Sequence, residues 1–407
     1  MFDAFPDPRL AHLAPRLHAG VVEFPVYHMR GGTSTGIVLW QRHLPATPEL
    51  RDELIRHLMG VPLEGELTQN RQITGLGRGP ATSNKVFIVD FSEDGKTLIS
   101  TLAQLAATKS AIDWSVNCGN MSAALPLYAL DTGLVQWGPE PSAATLDIFN
   151  TNTQTRLSAV MQLQQGRLEA NTEIPGVEGA FPGVDLYLHK PVGAKTGRLL
   201  PTGAVIDRIA GLDVSCVDVA VPMVIVAAAD LGKTGCETAG ELDADLQFKA
   251  RLREIWTDAG HKMELKNRDG SLMTAEQLRA SETIPKVCIV SSPQAGGNIN
   301  ARYFTPQQAH ASLAVSGGCC LAAACLLPGS VAHGIAAGLS PVSAQSQTQR
   351  VLIENPAGIL EARVDAVLDD GHTRIEQAAY RRSAQILLRG SMPLYRASNE
   401  LKAYLSQ

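Results

Sequence analysis

Two stretches of the sequence, one in each half of the chain, share an arrangement of small residues followed by an apolar helix. They read "VNCGNMSAALPLYALDTGLV" and "VSGGCCLAAACLLPGSVAHG". In each, a small polar residue and a glycine precede a run rich in alanine and leucine. When the two are aligned, Cys118 lies opposite Ser316. A match this short also arises by chance, so a duplicated architecture is one alternative that the repeat leaves open.

The length of the chain indicates more than one domain. The 407 residues exceed what one ordinary hydrophobic core accommodates. Two domains of roughly 150 to 200 residues are therefore expected. The stretch "PVGAKTGRLLPTG", from Pro191 to Gly203, is dense in proline and glycine and has no periodic pattern. We place the domain boundary there.

The pattern of apolar residues favours the α+β class. Strands outnumber helices and do not alternate with them regularly, which argues against a doubly wound sheet. Thr47 is placed to cap the first helix, and Gly60 follows its end. The predicted helices are Thr47–Met59 and Met121–Leu130, and the predicted strands are Ile37–Trp40, Lys85–Asp90, Asp185–His189, Val219–Ala227 and Val287–Ser291.

Charge and hydropathy argue against two classes of partner. The chain has 35 basic and 40 acidic residues, a net charge of −5 and no basic block, so we expect no nucleic-acid binding. Its first residues contain no cationic segment followed by an apolar one, and so no secretory signal. The longest apolar run, Val219–Ala229, is shorter than the roughly 20 residues that span a bilayer. We expect a soluble, cytoplasmic protein that does not bind membranes.

Metal and nucleotide motifs are missing from the sequence. The seven cysteines are odd in number and contain no CxxC pair, which is typical of a reducing compartment. The ten histidines form no HxxxH motif, so no metal site is indicated. No GxGxxG follows a predicted strand, and there is no Walker loop. We therefore expect neither a metal nor a cofactor.

Cys118 precedes a predicted helix and is a candidate functional thiol. The free N–H groups and the positive end of the helix dipole lower the pKa of a cysteine at such a junction. The same N–H groups can hold a substrate carboxylate. Most free cysteines are instead small buried hydrophobes, and we assign that role to Cys216, Cys236, Cys288, Cys320 and Cys325. The neighbours of Cys118 are poor core residues, which favours a function: Asn117, Gly119 and Asn120.

Two glycine-rich loops offer polar groups to a ligand. "HMRGGTSTGIVLW" contains paired glycines with Thr33, Ser34 and Thr35, which suits an anion site or an ordinary tight turn equally. "GLGRGPATSNKVFIVDF" leads to Lys85 at the first residue of a predicted strand. A lysine there is often a solvated strand end. Flanked by apolar sequence, however, it can lose its proton more easily and act as a base.

Several motifs together resemble the PrpF-like family. In order, they are "MRGGTSTG", "GLGRGPATSNKVFIV", "DWSVNCGNMSAALPLYALDTGLV", "IFNTNTQ", "GRLLPTG", "IPKVCIVSSP" and "RRSAQILLRG". The family includes 2-methylaconitate isomerases, 4-oxalomesaconate tautomerases and methylitaconate isomerases. The resemblance implies a diaminopimelate-epimerase-like fold of two similar domains, each a central helix wrapped by a mixed sheet, with the active site in the cleft between them. The implied domains are 22–198 and 199–384, with 385–407 returning to the first.

The resemblance also implies the site residues. Cys118 matches the first thiol of the epimerase relatives, while Ser316, a far weaker acid, stands at the second position. PrpF-like proteins are similar in keeping one thiol, which their motif pairs with the lysine that matches Lys85. A two-thiol racemase is therefore disfavoured. The motif residues implied in substrate binding are Arg30, Gly32, Thr33, Ser34, Thr82, Ser83, Asn117, Gly119, Asn120, Ser316, Gly317 and Gly318.

A single pair of proton-transfer groups suits a 1,3-allylic proton shift. A carbon flanked by a carboxylate and a C=C bond loses a proton, a dienolate forms, and a proton returns two carbons away. We expect such a double-bond migration in an unsaturated di- or tricarboxylic acid, such as 4-oxalomesaconate or 2-methylaconitate, without metal or cofactor. The expected partner is this small polycarboxylate alone. The sequence leaves the oligomeric state open, a homodimer included.

Two other functions are compatible with the sequence. An epimerase or racemase of a small acid would use Ser316, Cys319 or Cys320 as its second acid. It would exchange deuterium at a stereocentre without moving a double bond. A non-catalytic accessory protein for an aconitase-like enzyme would bury Lys85 or Cys118 and would lack a cleft.

Two residues, Thr35 and Glu354, depart from the family pattern. A third, Arg78, affects the charge near the first of them. Thr35 stands where the family usually has lysine or arginine, which removes one carboxylate contact. Arg78, in the second glycine-rich loop, is placed to restore positive charge. Glu354, in "ENPAG", would repel an anionic substrate if it faced the cleft. These departures affect substrate contacts more than the pair of Lys85 and Cys118.

Overall fold

A computed structural model describes residues 8–135, 143–165, 167–267 and 269–406 of the chain. They form two compact units. Unit 1 contains the described residues up to Glu173, together with Val177–Leu186 and those from Arg382 onward. Unit 2 contains Ile174–Gly176 and Tyr187–Arg381.

Helices and strands are numbered along the whole chain. The helices are α1 Pro48–Met59, α2 Gly119–Ser122, α3 Ala124–Asp131, α4 Ala239–Ala244, α5 Leu246–Lys262, α6 Ala275–Ala280, α7 Val315–Cys325, α8 Val331–Ile335 and α9 Asn399–Leu405. The strands are β1 Arg16–His18, β2 Val21–Gly31, β3 Ser34–Trp40, β4 Lys85–Phe91, β5 Thr97–Leu105, β6 Ile112–Asp113, β7 Ala143–Asn150, β8 Thr155–Gln164, β9 Arg167–Leu168, β10 Thr172–Ile174, β11 Val177–Phe181, β12 Gly183–Leu188, β13 Asp207–Ile209, β14 Leu212–Val219, β15 Val221–Ala227, β16 Lys286–Ser291, β17 Ile299–Thr305, β18 Gln308–Ala309, β19 Gln347–Asn355, β20 Gly358–Asp369 and β21 His372–Pro393.

Unit 1 is built on a mixed sheet. Strands β2 and β3 form a hairpin, and β3 runs parallel to β4 after a crossover that contains α1. Strand β4 is antiparallel to β5, β5 is parallel to β7, and β7 is antiparallel to β8. The parallel register sets Gly36 beside Lys85, and the antiparallel register sets Lys85 beside Gln104. The last part of β21 pairs with β2, so the end of the chain completes this unit.

Unit 2 repeats the same order of pairings. Strands β14 and β15 form a hairpin, and β15 runs parallel to β16 after a crossover that contains α5. Strand β16 is antiparallel to β17, β17 is parallel to β19, and β19 is antiparallel to β20. The prediction of an α+β fold with two similar domains, each a mixed sheet around a helix, is therefore confirmed.

The apolar helices α3 and α7 are buried in their units. Residues Ala124–Ala129 of α3 and Gly317–Cys325 of α7 are all buried. Each sheet covers its central helix with one face and packs an amphipathic helix on the other. In β16, for example, Val287 and Ile289 pack with α5, whereas Cys288 and Val290 belong to the core around α7. This alternation follows from the two-residue period of a strand.

Most predicted elements are present, and two differ. Helix α1 has Thr47 at its N-cap and Gly60 in the left-handed conformation at its end, with φ 68°. The predicted strand Val219–Ala227 is instead a hairpin, because the chain turns at Ala220, with φ 65°, between β14 and β15. The predicted helix Met121–Leu130 is divided into α2 and α3 at Ala123. In the described part of the chain, no helix is long and apolar enough to cross a membrane.

The pairing of β3 with β4 depends on the missing side chain of Gly36. A Cβ there would overlap the carbonyl oxygen of Lys85 and lie 2.9 Å from its Cβ. We expect Gly36→Ala to reduce the free energy of unfolding by about 1–3 kcal/mol, because the two strands would have to separate. Urea denaturation monitored by circular dichroism measures this change. Gly240→Ala is the matched control, because Gly240 lies in α4 with open space around it. An equal loss in both variants would contradict the argument.

Candidate active site

The turn between β2 and β3 packs directly against the start of α2. A Cβ at Gly31 would lie 2.6 Å from the carbonyl oxygen of Asn120 and 2.9 Å from the Cα of Met121. Gly32, with φ 53°, approaches the side-chain oxygen of Asn120 in the same way. These two positions need glycine, since any larger residue would push the turn away from the helix. The first glycine-rich motif thus brings its hydroxyl residues to the beginning of α2.

Cys118 is the N-cap of α2. Its Sγ accepts a hydrogen bond from the N–H of Met121 at 3.5 Å, and its thiol contacts Ser34 Oγ at 3.7 Å. The N–H of Cys118 donates to Asn117 Oδ1 at 2.7 Å. Cys118 is partly exposed, whereas Ser34 is buried. A thiol in this position is both oriented by the backbone and open to solvent, as a proton-transfer group requires.

Asn120 is held in one orientation by groups on both sides. Its Oδ1 accepts a hydrogen bond from Arg382 Nε at 2.7 Å, and its Nδ2 donates to Thr33 Oγ1 at 3.3 Å. Arg382 is 2% exposed, which makes it one of the largest fully buried side chains. Arg382 was not among the predicted site residues, although it lies in the motif "RRSAQILLRG". The available signal was a charged residue within an otherwise apolar strand pattern.

Arg30 stabilises the turn between β2 and β3 through hydrogen bonds to backbone carbonyl groups. Its Nη1 donates to the carbonyl oxygens of Gly32 at 2.8 Å and Ser383 at 3.1 Å. The guanidinium also lies 4.5 Å from the centre of the Phe181 ring. With most of its donors used inside the protein, Arg30 positions Gly32 and Thr33.

Lys85 is a buried lysine with a neutral partner. It is 6% exposed, and its Nζ donates to Gln104 Oε1 at 2.8 Å. Gln104 Nε2 donates to the carbonyl oxygens of Asn84 at 2.9 Å and Leu105 at 3.1 Å, which fixes the amide with its oxygen toward Lys85. Burial lowers the pKa of Lys85, and the nearby Cys118 opposes that shift as its charged form. The charge of Cys118, when it is a thiolate, therefore acts on the Lys85 amine.

The second glycine-rich loop is anchored next to Lys85. Asn84 is fully buried, accepts a hydrogen bond from Gln72 Nε2 at 2.6 Å and donates to the carbonyl oxygen of Gly79 at 2.8 Å. These contacts hold the loop that carries Thr82 and Ser83. Thr82 is exposed and Ser83 is partly buried, so both remain accessible to a ligand.

In unit 2 the predicted site residues lie in the first turn of α7. Ser316 is partly exposed. Gly317 packs on the ring of Tyr303 and Gly318 on the ring of Tyr380, in each case where a Cβ would overlap the ring. The N–H of Gly318 donates to the carbonyl oxygen of Ala314 at 2.8 Å. Gly318 therefore supplies space for an aromatic ring, and the N–H groups left for a ligand belong to the residues before it.

The structure shows where the two residues that depart from the family pattern lie and what they contact. Glu354 accepts hydrogen bonds from the N–H groups of Gln294, Ala295 and Gly297 at 2.7, 2.6 and 2.8 Å. Those bonds lower its pKa against the effect of burial. Its carboxylate is thus engaged in holding a loop of unit 2. Thr35 Oγ1 is buried without a hydrogen-bond partner among the described residues.

Arg78 lies close to a buried histidine. His28 is 4% exposed, and burial, with the charge of Arg78, lowers the pKa of its imidazole to about 4. The positive charge in the second glycine-rich loop therefore acts on His28, which is neutral near pH 7.

The remaining cysteines divide by exposure. The prediction that five of them are buried is confirmed for four, Cys216, Cys288, Cys320 and Cys325. It is wrong for Cys236, which is exposed because it lies in the polar turn before α4 and not in a strand. Cys319 is buried, and burial raises the pKa of Cys320 well above its usual range. Neither Cys319 nor Cys320 is suited to serve as a second acid. Within the residues that the structure describes, no three His, Cys, Asp or Glu side chains are grouped to hold a metal ion.

Comparison with known proteins gives consistent matches along the chain. The sequence model described as "PrpF protein" matches residues 21–395. The 4-oxalomesaconate tautomerase of Pseudomonas putida is 34% identical over 91% of this chain and 96% of that protein. The (4E)-oxalomesaconate Delta-isomerase of Novosphingobium sp. is 30% identical over 92% and 99%. A crystal structure of methylitaconate-delta-isomerase superposes with a TM-score of 0.77 at 27% identity, covering 95% of this chain and 97% of that one.

Exposure predicts which thiols react with iodoacetamide. We expect alkylation of Cys118 and Cys236 in the folded protein and protection of the five buried cysteines. Tricarballylate, a saturated tricarboxylate, should protect Cys118 and leave Cys236 reactive. Peptide mass spectrometry measures both. Labelling of Cys118 that is insensitive to tricarballylate would argue against its place in a carboxylate site.

The hydrogen bond between Lys85 and Gln104 predicts how a charged partner would change the pH dependence of kcat/KM. Gln104→Glu replaces a neutral acceptor with an anion, which stabilises the ammonium form and raises the pKa of Lys85. If the neutral amine is the active form, the rising acid limb of the kcat/KM profile should move to higher pH. Gln162→Glu, at an exposed position of β8, is the control and should leave the profile unchanged. A profile that stays in place in Gln104→Glu would contradict the pairing.

Proposed function

Since this chain belongs to the PrpF family and is an isomerase that moves carbon–carbon double bonds, we propose that Lys85 and Cys118 carry out its proton transfers. The proposal depends most on one observation: Lys85 is buried, and its Nζ donates to a neutral amide, that of Gln104. Burial disfavours the charged form of a lysine, so a buried lysine releases its proton more readily than a solvated one. It can therefore act as a general base near neutral pH.

The reaction that suits this pair is a 1,3-allylic proton shift. The neutral amine of Lys85 removes a proton from the saturated carbon next to a C=C bond, and the C–H electrons form a dienolate. A proton then returns to the carbon two positions away, so the double bond moves and the molecular formula is unchanged. The ammonium of Lys85 supplies the returning proton, or the thiol of Cys118 supplies it and the resulting thiolate then regains a proton from the Lys85 ammonium. No electron acceptor is needed.

The first turn of α2 is suited to stabilise the dienolate. The carbon acid is weaker than either catalytic group, and each pKa unit of mismatch costs about 1.4 kcal/mol. Backbone N–H groups of Gly119 and Asn120 lie where the helix supplies no acceptor. A preorganised N–H donor of this kind is worth about 2.7–4 kcal/mol in a transition state. Ser34, Thr33, Asn117, Thr82 and Ser83 are proposed to bind the carboxylates of the substrate.

The substrate class is an unsaturated polycarboxylic acid. The Pseudomonas putida and Novosphingobium relatives are both named for 4-oxalomesaconate, and the matching crystal structure for methylitaconate. All of these names describe acids with a carboxylate next to a C=C bond. We propose 4-oxalomesaconate as the first compound to test. In unit 2, Ser316 and Gly317 are proposed to hold a carboxylate.

The epimerase alternative has less support. It requires a second acid in α7, and Cys319 and Cys320 are buried there, with the pKa of Cys320 raised. Ser316 is accessible, but its hydroxyl is a far weaker acid than a thiol. Deuterium exchange at a stereocentre without movement of a double bond would favour this alternative.

Substitution of the two proton-transfer groups tests the proposal. Lys85→Met and Cys118→Ser should each lower kcat for 4-oxalomesaconate isomerisation by at least a hundredfold, consistent with the usual size of general acid–base catalysis. Ultraviolet absorbance of the conjugated system measures the rate, and NMR in D₂O locates the incorporated deuterium. We expect suprafacial transfer and activity that survives EDTA. Cys236→Ser, an exposed thiol elsewhere, is the matched control and should remain fully active. An active Lys85→Met enzyme would exclude Lys85 as the base.

A further inference from the structure

Unit 2 carries a lysine at the position that corresponds to Lys85. Lys85 is the first residue of β4, which pairs in parallel with β3 after the crossover through α1. Lys286 is the first residue of β16, which pairs in parallel with β15 after the crossover through α5. Each lysine is therefore the first residue of the second strand of the parallel pair in its own unit. Nothing in the reaction described above uses Lys286.

The side chain of Lys286 lies on the sheet face that covers α7. Val287 and Ile289 belong to the core around α5, and Cys288 and Val290 belong to the core around α7. Because side chains alternate along a strand, Lys286 shares the face of Cys288 and Val290.

The register sets Lys286 near the N-terminal half of α7. Cys320 Sγ donates to the carbonyl oxygen of Val217 at 3.4 Å. Val217 is paired with Met223 across the β14–β15 hairpin, and Met223 is paired with Lys286 across the parallel register. Lys286 is thus at the level of Cys320, one helical turn from the first residues of α7. A lysine side chain spans such a distance toward solvent.

Lys286 differs from Lys85 in its partners. Lys85 donates to Gln104, whereas no described residue accepts a hydrogen bond from Lys286 Nζ. Burial lowers the pKa of Lys286 to about 8, and no neighbouring charge among the described residues opposes that shift. A partly buried amine without a protein partner costs free energy that an anionic ligand would offset.

Other donors at the same end of unit 2 also lack partners. Tyr303 is 1% exposed, its ring packs on Gly317, and its hydroxyl has no hydrogen-bond partner among the described residues. Ser316 Oγ is likewise unbonded within the described part of the chain and is partly exposed. The first N–H groups of α7 have no acceptor within the helix. A group that accepts several hydrogen bonds and carries negative charge satisfies all of these donors.

We propose that Lys286, together with Ser316 at the start of α7, forms a site in unit 2 for a carboxylate group of the substrate. This inference rests on the proposed function, in which the substrate is a polycarboxylate, and it assigns Lys286 to binding. The carboxylate accepts hydrogen bonds from the ammonium of Lys286 and from Ser316 Oγ. Because an ion pair favours the charged amine, binding is accompanied by uptake of a proton from solvent.

Proton-linked calorimetry tests this inference without catalysis. Tricarballylate is titrated into the protein at pH 8 in Tris and in HEPES, whose ionisation enthalpies differ. At that pH a group with a pKa of about 8 is half charged, so we expect Lys286 to contribute uptake of about half a proton. Lys286→Met should lose this contribution and weaken binding at least tenfold. Lys286→Arg, which is always charged, should retain most of the affinity and also lose the uptake.

The controls separate this inference from the proposed function. Lys266→Met removes an exposed lysine of unit 2 and should bind like the native protein. Circular dichroism confirms that each variant is folded, and Lys286→Arg remains informative if Lys286→Met is not. Unchanged affinity and uptake in Lys286→Met would overturn the assignment of Lys286 and leave the isomerase proposal intact. A large loss of kcat with unchanged affinity would overturn it as well and make Lys286 a proton carrier. Failure of the native protein to bind tricarballylate would overturn the carboxylate site, and the 4-oxalomesaconate assay would then decide the proposed function separately.

Discussion

The enclosure of a helix that has no polar face determines most of this structure. Residues Cys319–Ala324 of α7 are fully buried, and α3 is buried in the same way. Such a helix is stable in water only when other elements of the fold bury it on every side. Its backbone groups are satisfied internally except at the ends, so the first turn is the place where it offers free N–H donors. Chemistry that needs an anion-binding helix terminus is therefore confined to one end of each unit.

The site around Cys118 and Lys85 also depends on close approach between the β2–β3 hairpin and its neighbours, α2 and β4. Glycines at 31, 32 and 36 allow the β2–β3 turn to reach α2 and allow β3 to pair beside Lys85. Gln104 reaches Lys85 through strand pairing between residues 19 positions apart. The choice of a neutral amide there has an electrostatic consequence. A carboxylate would keep the lysine charged, whereas an amide orients the amine and still allows it to lose its proton.

The sequence predicted the elements that depend on local pattern, and it failed where distant residues decide. Cys118 was identifiable because its neighbours are poor core residues, and α1 because of its cap and its terminal glycine. The role of Gln104 was not, because it becomes visible only when strand pairing brings it beside Lys85. The sequence shows Arg382 as a charge in a strand, but its contact with Asn120, 262 positions away, becomes visible only in the structure. The turn at Ala220 was missed because an alanine with positive φ leaves no trace in an apolar run. Glu354 was considered for its charge alone, since the three N–H groups that engage it lie about 60 residues away.

The order in which the chain builds its two units has a consequence for synthesis. Unit 2 is nearly continuous, from Tyr187 to Arg381, so all but three of its residues leave the ribosome in one run. Unit 1 begins earlier, yet its strand β2 pairs with residues 384–393 of β21, and α1 contacts the terminal helix α9. The half that starts first is thus the half that finishes last. Until residues 384–405 emerge, the edge of β2 that pairs with β21 and the part of α1 that contacts α9 remain uncovered, which exposes the nascent first half to aggregation.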